Sequence, residues 1–318
     1  MTVWADAVFE GGGVKAIGLV GALTVAEEKG YRWKRLAGTS AGSIIAALLA
    51  AGYRAGDIHA LMMEQDFLQF MPKTWYHRIP YMGPALRLWI HKGLYPGDAL
   101  EKWIGELLAR RGVYTFADLK ECKLSIIASD ISGGKLMVLP HDYKDYGYDP
   151  SELTVARAVR MSCSIPYFFD PVKVVNQICK KICYVVDGAI LSNFPVWLFD
   201  QEKPRWPTFG FRLVSELTAE EHHVSGPISL LRAIFFTMME AHDNRYLRDQ
   251  EKVRTILVPT LNVKMIDFHI SKEKRQLLFE EGRKAAEDFF SNWTFAEYLA
   301  VRQAKRGVSY TIRPTESG

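Results

Sequence analysis

The sequence predicts an α/β fold in which a mostly parallel central sheet carries helices on both faces, and two observations lead to this prediction. First, β-prone and helical runs alternate along the chain, starting with a strand over Val3–Glu10 and a helix over Ala16–Lys29. Such alternation is typical of a parallel sheet covered on both sides. Second, a turn at Gly38–Gly42 follows a short apolar segment and leads into the apolar helical run Ser43–Ala51.

The remaining elements continue the same alternation. Helices are predicted over residues 55–65, Asp98–Arg111, Leu153–Met161, Pro227–Asp249 and Ser271–Phe290, and strands over Phe169–Val175, Cys183–Val186, Thr208–Val214 and Val253–Val258. Two further strands, Lys123–Ile131 and Lys135–Pro140, are joined by Ser132-Gly133-Gly134 and form a predicted hairpin. Because no repeat, low-complexity tract or linker interrupts the 318 residues, we expect one domain over residues 1–318.

Composition sets limits on the class of protein. Hydrophobic residues make up 48% and charged residues 24% of the chain, which is ordinary for a globular protein, and the net charge of +4 does not indicate nucleic acid as a partner. No apolar run reaches the roughly 18 residues of a membrane span. The first residues lack the pattern of a signal peptide, and the four cysteines lack metal-ligand spacing. We therefore expect a cytoplasmic protein without metal or cofactor.

The turn Gly38-Thr39-Ser40-Ala41-Gly42 has the G-x-S-x-G pattern of a nucleophile elbow, with a strand before it and a helix after it. A sharp turn brings the backbone close to its neighbours, so side chains at Gly38 and Gly42 would clash. The turn would place the Ser40 hydroxyl above the N-terminus of a helix, where unbonded N–H groups favour negative charge.

A second glycine-rich turn, Gly11-Gly12-Gly13, follows the first strand and precedes Lys15. Gly11, Gly13 and Ala16 fit the G-x-G-x-x-A fingerprint of dinucleotide sites, but those sites need an acidic residue at the end of the next strand. That strand ends instead at the Ser40 turn. The alternative is that the glycine N–H groups form an oxyanion hole, and this interpretation fits better.

A carboxylate, Asp187, follows the buried run Tyr184-Val185-Val186 and precedes Gly188. Because the carboxyl ends of parallel strands share one edge of a sheet, Asp187 is expected to lie near Ser40 and the first glycine turn. An aspartate at a strand end is also common in ordinary turns. No histidine after Ser40 stands at an identifiable strand end.

Together the runs Gly-Gly-Gly-x-Lys, Gly-Thr-Ser-Ala-Gly and Asp-Gly-Ala resemble the motifs of the patatin-like phospholipase family, over roughly residues 5–200. The run Ser162–Pro166 resembles a further block of that family. The resemblance implies a three-layer fold and hydrolysis of phospholipid or related acyl esters by a Ser–Asp dyad. Ser40 would be the nucleophile and Asp187 the base, with the oxyanion hole at Gly11–Gly13. Lys15, Gly38, Gly42 and Gly188 support the motifs, whereas Ala16 departs from the glycine that is frequent in the family.

Two alternatives remain open at this point. The chain could be a histidine-dependent serine esterase of another α/β fold, or a lipid-binding protein without catalysis on the same fold. Intact motifs argue against the second.

The segment from residue 67 to residue 97 contains no Asp or Glu. It contains the cations Lys73, Arg78, Arg87 and Lys92, interleaved with Phe67, Phe70, Trp75, Tyr76, Tyr81, Trp89 and Tyr95. The segment is either a cap whose aromatic residues pack on the core, or a surface that sits among lipid headgroups. We expect the lipid to be the partner of this protein and this segment to provide a peripheral membrane surface.

Overall fold

The computed structural model describes residues 3–72, 75–78, 82–119, 123–215, 224–226, 229–230, 233–234, 237 and 249–303. The predicted helix at Pro227–Asp249 lies largely outside these residues. The strands are β1 Val3–Phe9, β2 Tyr31–Thr39, β3 Gly93–Tyr95, β4 Lys123–Asp130, β5 Lys135–Leu139, β6 Tyr167–Phe169, β7 Val172–Val175, β8 Ile182–Asp187, β9 Thr208–Val214 and β10 Thr255–Pro259.

The α-helices are α1 Ile17–Glu28, α2 Ala41–Ala50, α3 Ala55–Glu64, α4 Met82–His91, α5 Asp98–Ala109, α6 Val155–Ser162, α7 Asp249–Lys252, α8 Lys272–Asn292 and α9 Phe295–Gln303. Short 3-10 helices occur at Gly13–Ala16, Phe67–Phe70, Trp75–Arg78, Phe116–Asp118, His141–Tyr146, Pro150–Glu152, Gly188–Ile190 and Val196–Phe199. No helix among the described residues combines the length and the apolar composition needed to cross a membrane.

Eight strands form the central sheet, in the order β10-β9-β1-β2-β4-β8-β7, with β5 paired to β4. Neighbouring strands from β10 to β4 run parallel, whereas β5 and β8 run antiparallel to β4 and β7 runs antiparallel to β8. The predicted mostly parallel sheet and the β4–β5 hairpin are confirmed. The strand predicted over Phe169–Val175 is instead two strands: β6 belongs to a separate two-stranded sheet with β3, and β7 lies at an edge of the central sheet.

Alternate residues of β1 face opposite layers, as the side-chain period of a strand requires. Ala7 and Phe9 belong to the large core that includes α1 and α2, whereas Val8 packs with Val196 and Phe199 on the other side. On the first side α8 lies very close to α1, because a Cβ atom added at Gly282 would stand 1.8 Å from the Gly18 carbonyl oxygen. The C-terminal part of the chain therefore supplies β9 and β10 to the central sheet and packs α8 on one of its faces.

The acid-free segment divides into inward and outward parts. Phe67 and Phe70 are buried, as a packed cap would have them. The Arg87 guanidinium is also buried and pairs with the Asp170 carboxylate, with an Nη1–Oδ1 distance of 2.7 Å and an Nη2–Oδ2 distance of 3.0 Å. Arg87 is therefore not part of the lipid-facing surface expected from this segment, since its charge is neutralised within the protein. Lys73 and the Arg78 side chain lie outside the described residues.

Candidate active site

The nucleophile elbow is built by the junction of β2 and α2. Thr39 ends β2, Ala41 begins α2, and Ser40 between them has φ 50° and ψ −129°. A positive φ is uncommon for a residue with a side chain, and such strain is frequently found at active sites. A Cβ atom at Gly38 would stand 2.3 Å from the Gly42 carbonyl oxygen, and one at Gly42 would stand 2.4 Å from the Phe9 carbonyl oxygen. The turn therefore accommodates only glycine at these two positions.

Ser40 and Asp187 are hydrogen-bonded to each other. The Ser40 hydroxyl donates to Asp187 Oδ2 at 2.7 Å, and the Ala189 N–H donates to Asp187 Oδ1 at 3.0 Å. Both side chains are buried. Burial raises the pKa of Asp187 from 3.8 to about 7, and the two hydrogen bonds oppose the rise only in part. Above that pH the carboxylate is ionised and able to accept the Ser40 proton.

The two residues meet for a reason other than the one expected from the sequence. β8 runs antiparallel to β4, so a shared strand direction does not explain why its carboxyl end lies beside that of β2. Instead β2 and β8 lie end to end along the same edge of β4, because β5 occupies the opposite edge. Thr39 pairs with Ile127 and Asp187 pairs with the next residue, Ala128. The carboxyl ends of β2 and β8 therefore point toward each other.

The glycine turn lies directly beside the serine. A Cβ atom at Gly11 would stand 3.0 Å from the Ser40 Cβ atom, and the Gly11 N–H donates to the Asn193 carbonyl oxygen at 3.3 Å. Gly13 has φ 57°, and a Cβ atom there would stand 2.0 Å from the Met265 carbonyl oxygen. Neither the Gly12 N–H nor the Gly13 N–H has a backbone acceptor among the residues that the structure describes. Within that part of the chain, neither N–H group is committed to a backbone partner.

The other residues that support the motifs have structural contacts. The Lys15 N–H donates to the Gly12 carbonyl oxygen at 3.2 Å and closes the glycine turn. A Cβ atom at Gly188 would stand 2.3 Å from the Ile127 carbonyl oxygen, so the turn after Asp187 passes close to β4. The segment after Asp187 also bonds to the elbow, since the Thr39 hydroxyl donates to the Ser192 carbonyl oxygen at 3.1 Å.

Ser162, at the end of α6, holds the backbone of Ser40, a contact that the sequence did not reveal. Its hydroxyl oxygen accepts the Ser40 N–H at 2.9 Å and donates to the Ile127 carbonyl oxygen at 2.5 Å. Two residues later the Ser164 carbonyl oxygen accepts the Asp187 N–H at 2.9 Å. One short segment is therefore hydrogen-bonded to the backbone of both Ser40 and Asp187. The only signal in the sequence was the resemblance of Ser162–Pro166 to a family block.

An apolar cavity that opens to solvent lies beside Ser40. Its lining includes Gly13, Ser40 and the apolar side chains of Ile44, Met62, Phe67, Phe70, Leu100, Trp103, Ile165, Phe169 and Phe268. Cys163 also lines it, but burial and the nearby Asp187 carboxylate raise the pKa of this thiol, which stays neutral. The cavity thus suits a hydrocarbon chain and places Ser40 at its wall.

In the described part of the chain no histidine is hydrogen-bonded to the side chain of Ser40 or Asp187. The hydrogen bonds of the Asp187 carboxylate come from Ser40 and Ala189. His59 stacks on Phe279 instead. Among the residues that the structure describes, no group of three or more His, Cys, Asp or Glu side chains could hold a metal ion.

Comparisons with known proteins identify the family and the fold. The sequence model of the patatin-like phospholipase family matches residues 7–200. The uncharacterized protein YqhO of Bacillus subtilis is 43% identical over 294 residues, which are 92% of this chain and 100% of that protein. The chain therefore belongs to the patatin-like phospholipase family, and at the level of that family it is a lipid hydrolase. The resemblance inferred from the motifs is confirmed.

Two solved structures share the fold. VipD from Legionella pneumophila superposes with a TM-score of 0.54 at 16% identity, over 90% of this chain and 66% of that one. The ExoU–SpcU complex of Pseudomonas aeruginosa gives a TM-score of 0.51 at 18% identity, over 91% of this chain and 52% of that one. The chain thus spans two thirds or less of these proteins, and identities this low support the fold alone. A serine esterase of another α/β fold is no longer an alternative.

Replacing Ser162 by alanine should slow the reaction of Ser40 about 10- to 100-fold, because the buried Ser40 N–H would lose its acceptor and the elbow its position. The rate of labelling by a fluorophosphonate measures this directly. Ser129→Ala is the matched control, since the Ser129 hydroxyl is also buried and donates to the Gly188 carbonyl oxygen without bonding to Ser40. Equal losses of rate and of stability in the two variants would contradict a positioning role for Ser162.

Replacing Asp187 by asparagine should stabilise the fold in a pH-dependent way. Between pH 4 and 7 the folded chain keeps a proton on Asp187 that the unfolded chain has released, so wild-type stability falls as pH rises and levels off above about 7. The advantage of Asp187→Asn should grow over that range to at most about 4 kcal/mol. Urea unfolding from pH 4 to 8 measures it, with the exposed Asp267→Asn as control. An advantage that does not change with pH would contradict the raised pKa.

Proposed function

We propose that this protein hydrolyses carboxylic ester bonds of phospholipids or related lipids, with Ser40 as nucleophile and Asp187 as general base. The proposal depends above all on the 2.7 Å hydrogen bond from the Ser40 hydroxyl to the buried Asp187 carboxylate. Membership of the family and the apolar cavity beside Ser40 support the same conclusion. The segment Ser162–Ser164 holds both groups in register for the reaction.

The first step forms an acyl-enzyme. As Ser40 Oγ attacks the ester carbonyl carbon, the Asp187 carboxylate takes the hydroxyl proton. The tetrahedral intermediate then collapses, the bond to the leaving alcohol breaks, and that alcohol takes the proton from Asp187. A carboxylate is normally too weak a base for an alcohol. Its burial strengthens it here, because the pKa of Asp187 is raised to about 7.

The negative charge on the tetrahedral intermediate needs donors, and the glycine turn offers two. The N–H groups of Gly12 and Gly13 are assigned to the oxyanion, and each such donor typically contributes about 3 kcal/mol to transition-state stabilisation. Gly11 acts differently, because its own N–H is bonded to Asn193. Its lack of a side chain lets the turn approach Ser40. The N-terminus of α2 adds a favourable dipole.

The second step releases the fatty acid. Water replaces the alcohol, Asp187 removes a proton from it as it attacks the acyl-Ser40 ester, and Ser40 regains its proton as the ester bond breaks. The apolar cavity holds the acyl chain during both steps, and its lining keeps other water away from the dyad. No step requires a metal or a cofactor.

A lipid-binding protein without catalysis is the remaining alternative, and one set of measurements separates the two. Ser40→Ala should abolish hydrolysis of phospholipid and of a short soluble ester, and should also abolish fluorophosphonate labelling. Mass spectrometry of lipid extracts would identify the fatty acid and the lysolipid released by the native protein. An inactive but correctly folded native protein, tested with mixed phospholipid, galactolipid and neutral lipid, would favour the binding role.

The pH profile tests the base. In the native protein kcat/KM should fall below about pH 7, because protonated Asp187 cannot accept the Ser40 proton. Asp187→Asn should lower the rate at least about 100-fold and remove this acid limb, since an amide is not a base. If Asp187→Asn retained near-native turnover, the general base would have to be another group.

The oxyanion assignment is tested at Gly13. Gly13→Ala should lower kcat at least about 100-fold, because the new side chain collides with the Met265 carbonyl oxygen and turns the N–H groups away. Gly134→Ala is the matched control for backbone strain: its φ is 63° and nothing lies within 4 Å of an added Cβ atom. Native turnover in a folded Gly13→Ala protein would rule out this assignment.

A further inference from the structure

Helix α4 carries its hydrophobic residues on the side that faces solvent. The exposed fractions are 75% for Met82, 45% for Leu86, 85% for Trp89 and 49% for Ile90. Their spacing of i, i+4, i+7 and i+8 places all four on one face of the helix, together with the exposed Ala85. Surface helices of globular proteins normally turn such a stripe toward the core.

The opposite face of α4 is anchored to the protein by the charged side chain of Arg87. Arg87 is buried, makes two hydrogen bonds to the Asp170 carboxylate and donates a third to the Gly93 carbonyl oxygen. A bidentate arginine–carboxylate pair fixes orientation as well as distance. The helix is therefore inverted relative to an ordinary amphipathic helix, and the Arg87–Asp170 pair keeps the apolar stripe facing outward.

The inverted helix is attached to the wall of the cavity beside Ser40. Asp170 directly follows Phe169, whose side chain lines that cavity. After α4 the chain forms β3, in which Tyr95 pairs with Phe169 of β6. The 3-10 helix Phe67–Phe70 before α4 supplies two more lining side chains. The chain before α4 thus supplies residues that line the cavity, and the chain after α4 pairs with a strand that lines it.

We infer that the face of α4 formed by Met82, Leu86, Trp89 and Ile90 inserts into the surface of an anionic phospholipid membrane. The face is apolar with tryptophan at its centre, as in helices that lie at a membrane interface. Charge complementarity selects the lipid, because residues 67–97 contain no Asp or Glu and Lys92, just after α4, is exposed. This inference refines the membrane surface expected from the sequence: Arg87 orients the helix and does not bind phosphate.

Membrane binding by α4 does not require catalysis. The inference rests on the proposed function only in its purpose, which is to bring the cavity beside Ser40 to its lipid substrate. Vesicle binding is therefore measured apart from catalysis, with the Ser40→Ala chain, so that no lipid is consumed. The vesicles contain phosphatidylcholine alone or with phosphatidylserine. The test variant adds Leu86→Ser and Trp89→Ser, and the matched control adds Ile178→Ser and Leu277→Ser, two exposed apolar residues outside α4.

The test variant should need at least about tenfold more anionic lipid for half-maximal binding, because the apolar anchor is lost. The control variant should bind as the parent does. Lys92→Gln should weaken binding to anionic vesicles and make it less sensitive to salt. In the chain with Ser40 intact, Leu86→Ser with Trp89→Ser should slow hydrolysis of vesicle phospholipid but leave hydrolysis of a short soluble ester within about twofold, since the dyad is untouched.

Three results would overturn the inference. The first is that the parent binds neither kind of vesicle, and the second is that the test variant binds as tightly as the parent. The third is that the test variant changes a dimer to a monomer in light scattering without any effect on vesicle binding. The last result would make a second copy of this chain the occupant of the stripe. Vesicle binding that depends on the stripe in a protein without esterase activity would refute the proposed function and leave the docking inference standing.

Discussion

The candidate site depends on one short stretch of β4, at Ile127 and Ala128. Thr39 and Asp187 pair with these consecutive residues, so the register of one strand sets the separation between the serine and the carboxylate. The Ile127 carbonyl oxygen also accepts the Ser162 hydroxyl, which in turn accepts the Ser40 N–H. Backbone pairing is far stiffer than a side chain on a loop, so the sheet itself holds Ser40 and Asp187 at a fixed separation.

Burial gives Asp187 its basicity and also makes it costly to the fold. A carboxylate in a dry site is a stronger base, but one whose pKa is raised by burial lowers the free energy of unfolding when it ionises. Two hydrogen bonds to the carboxylate, from Ser40 and from Ala189, limit this cost. The remaining cost of burying Asp187 is not offset, and the positive φ of Ser40 adds backbone strain. Both costs are concentrated where the chemistry is proposed.

The sequence predicted what local geometry determines and missed what distant contacts determine. The Ser40 turn and the alternating strands were accessible because each depends on a few neighbouring residues. The direction of β8 was not, since antiparallel pairing with β4 joins segments far apart in the chain. Ser162 bonds to Ser40 across 122 positions and Arg87 to Asp170 across 83. A hydroxyl or guanidinium with such a partner carries no local pattern that reveals it.

The bond from the Val14 N–H to the Met265 carbonyl oxygen, at 3.1 Å, has a consequence for how the chain can be divided. The family motifs end near residue 200, and a fragment cut there would contain every one of them. It would nevertheless lose Met265, whose carbonyl oxygen accepts the hydrogen bond that supports the glycine turn. It would also expose the edge of β1 that β9 covers, an unpaired strand edge of the kind that promotes aggregation. Motif boundaries and autonomous folding units are therefore different things in this chain.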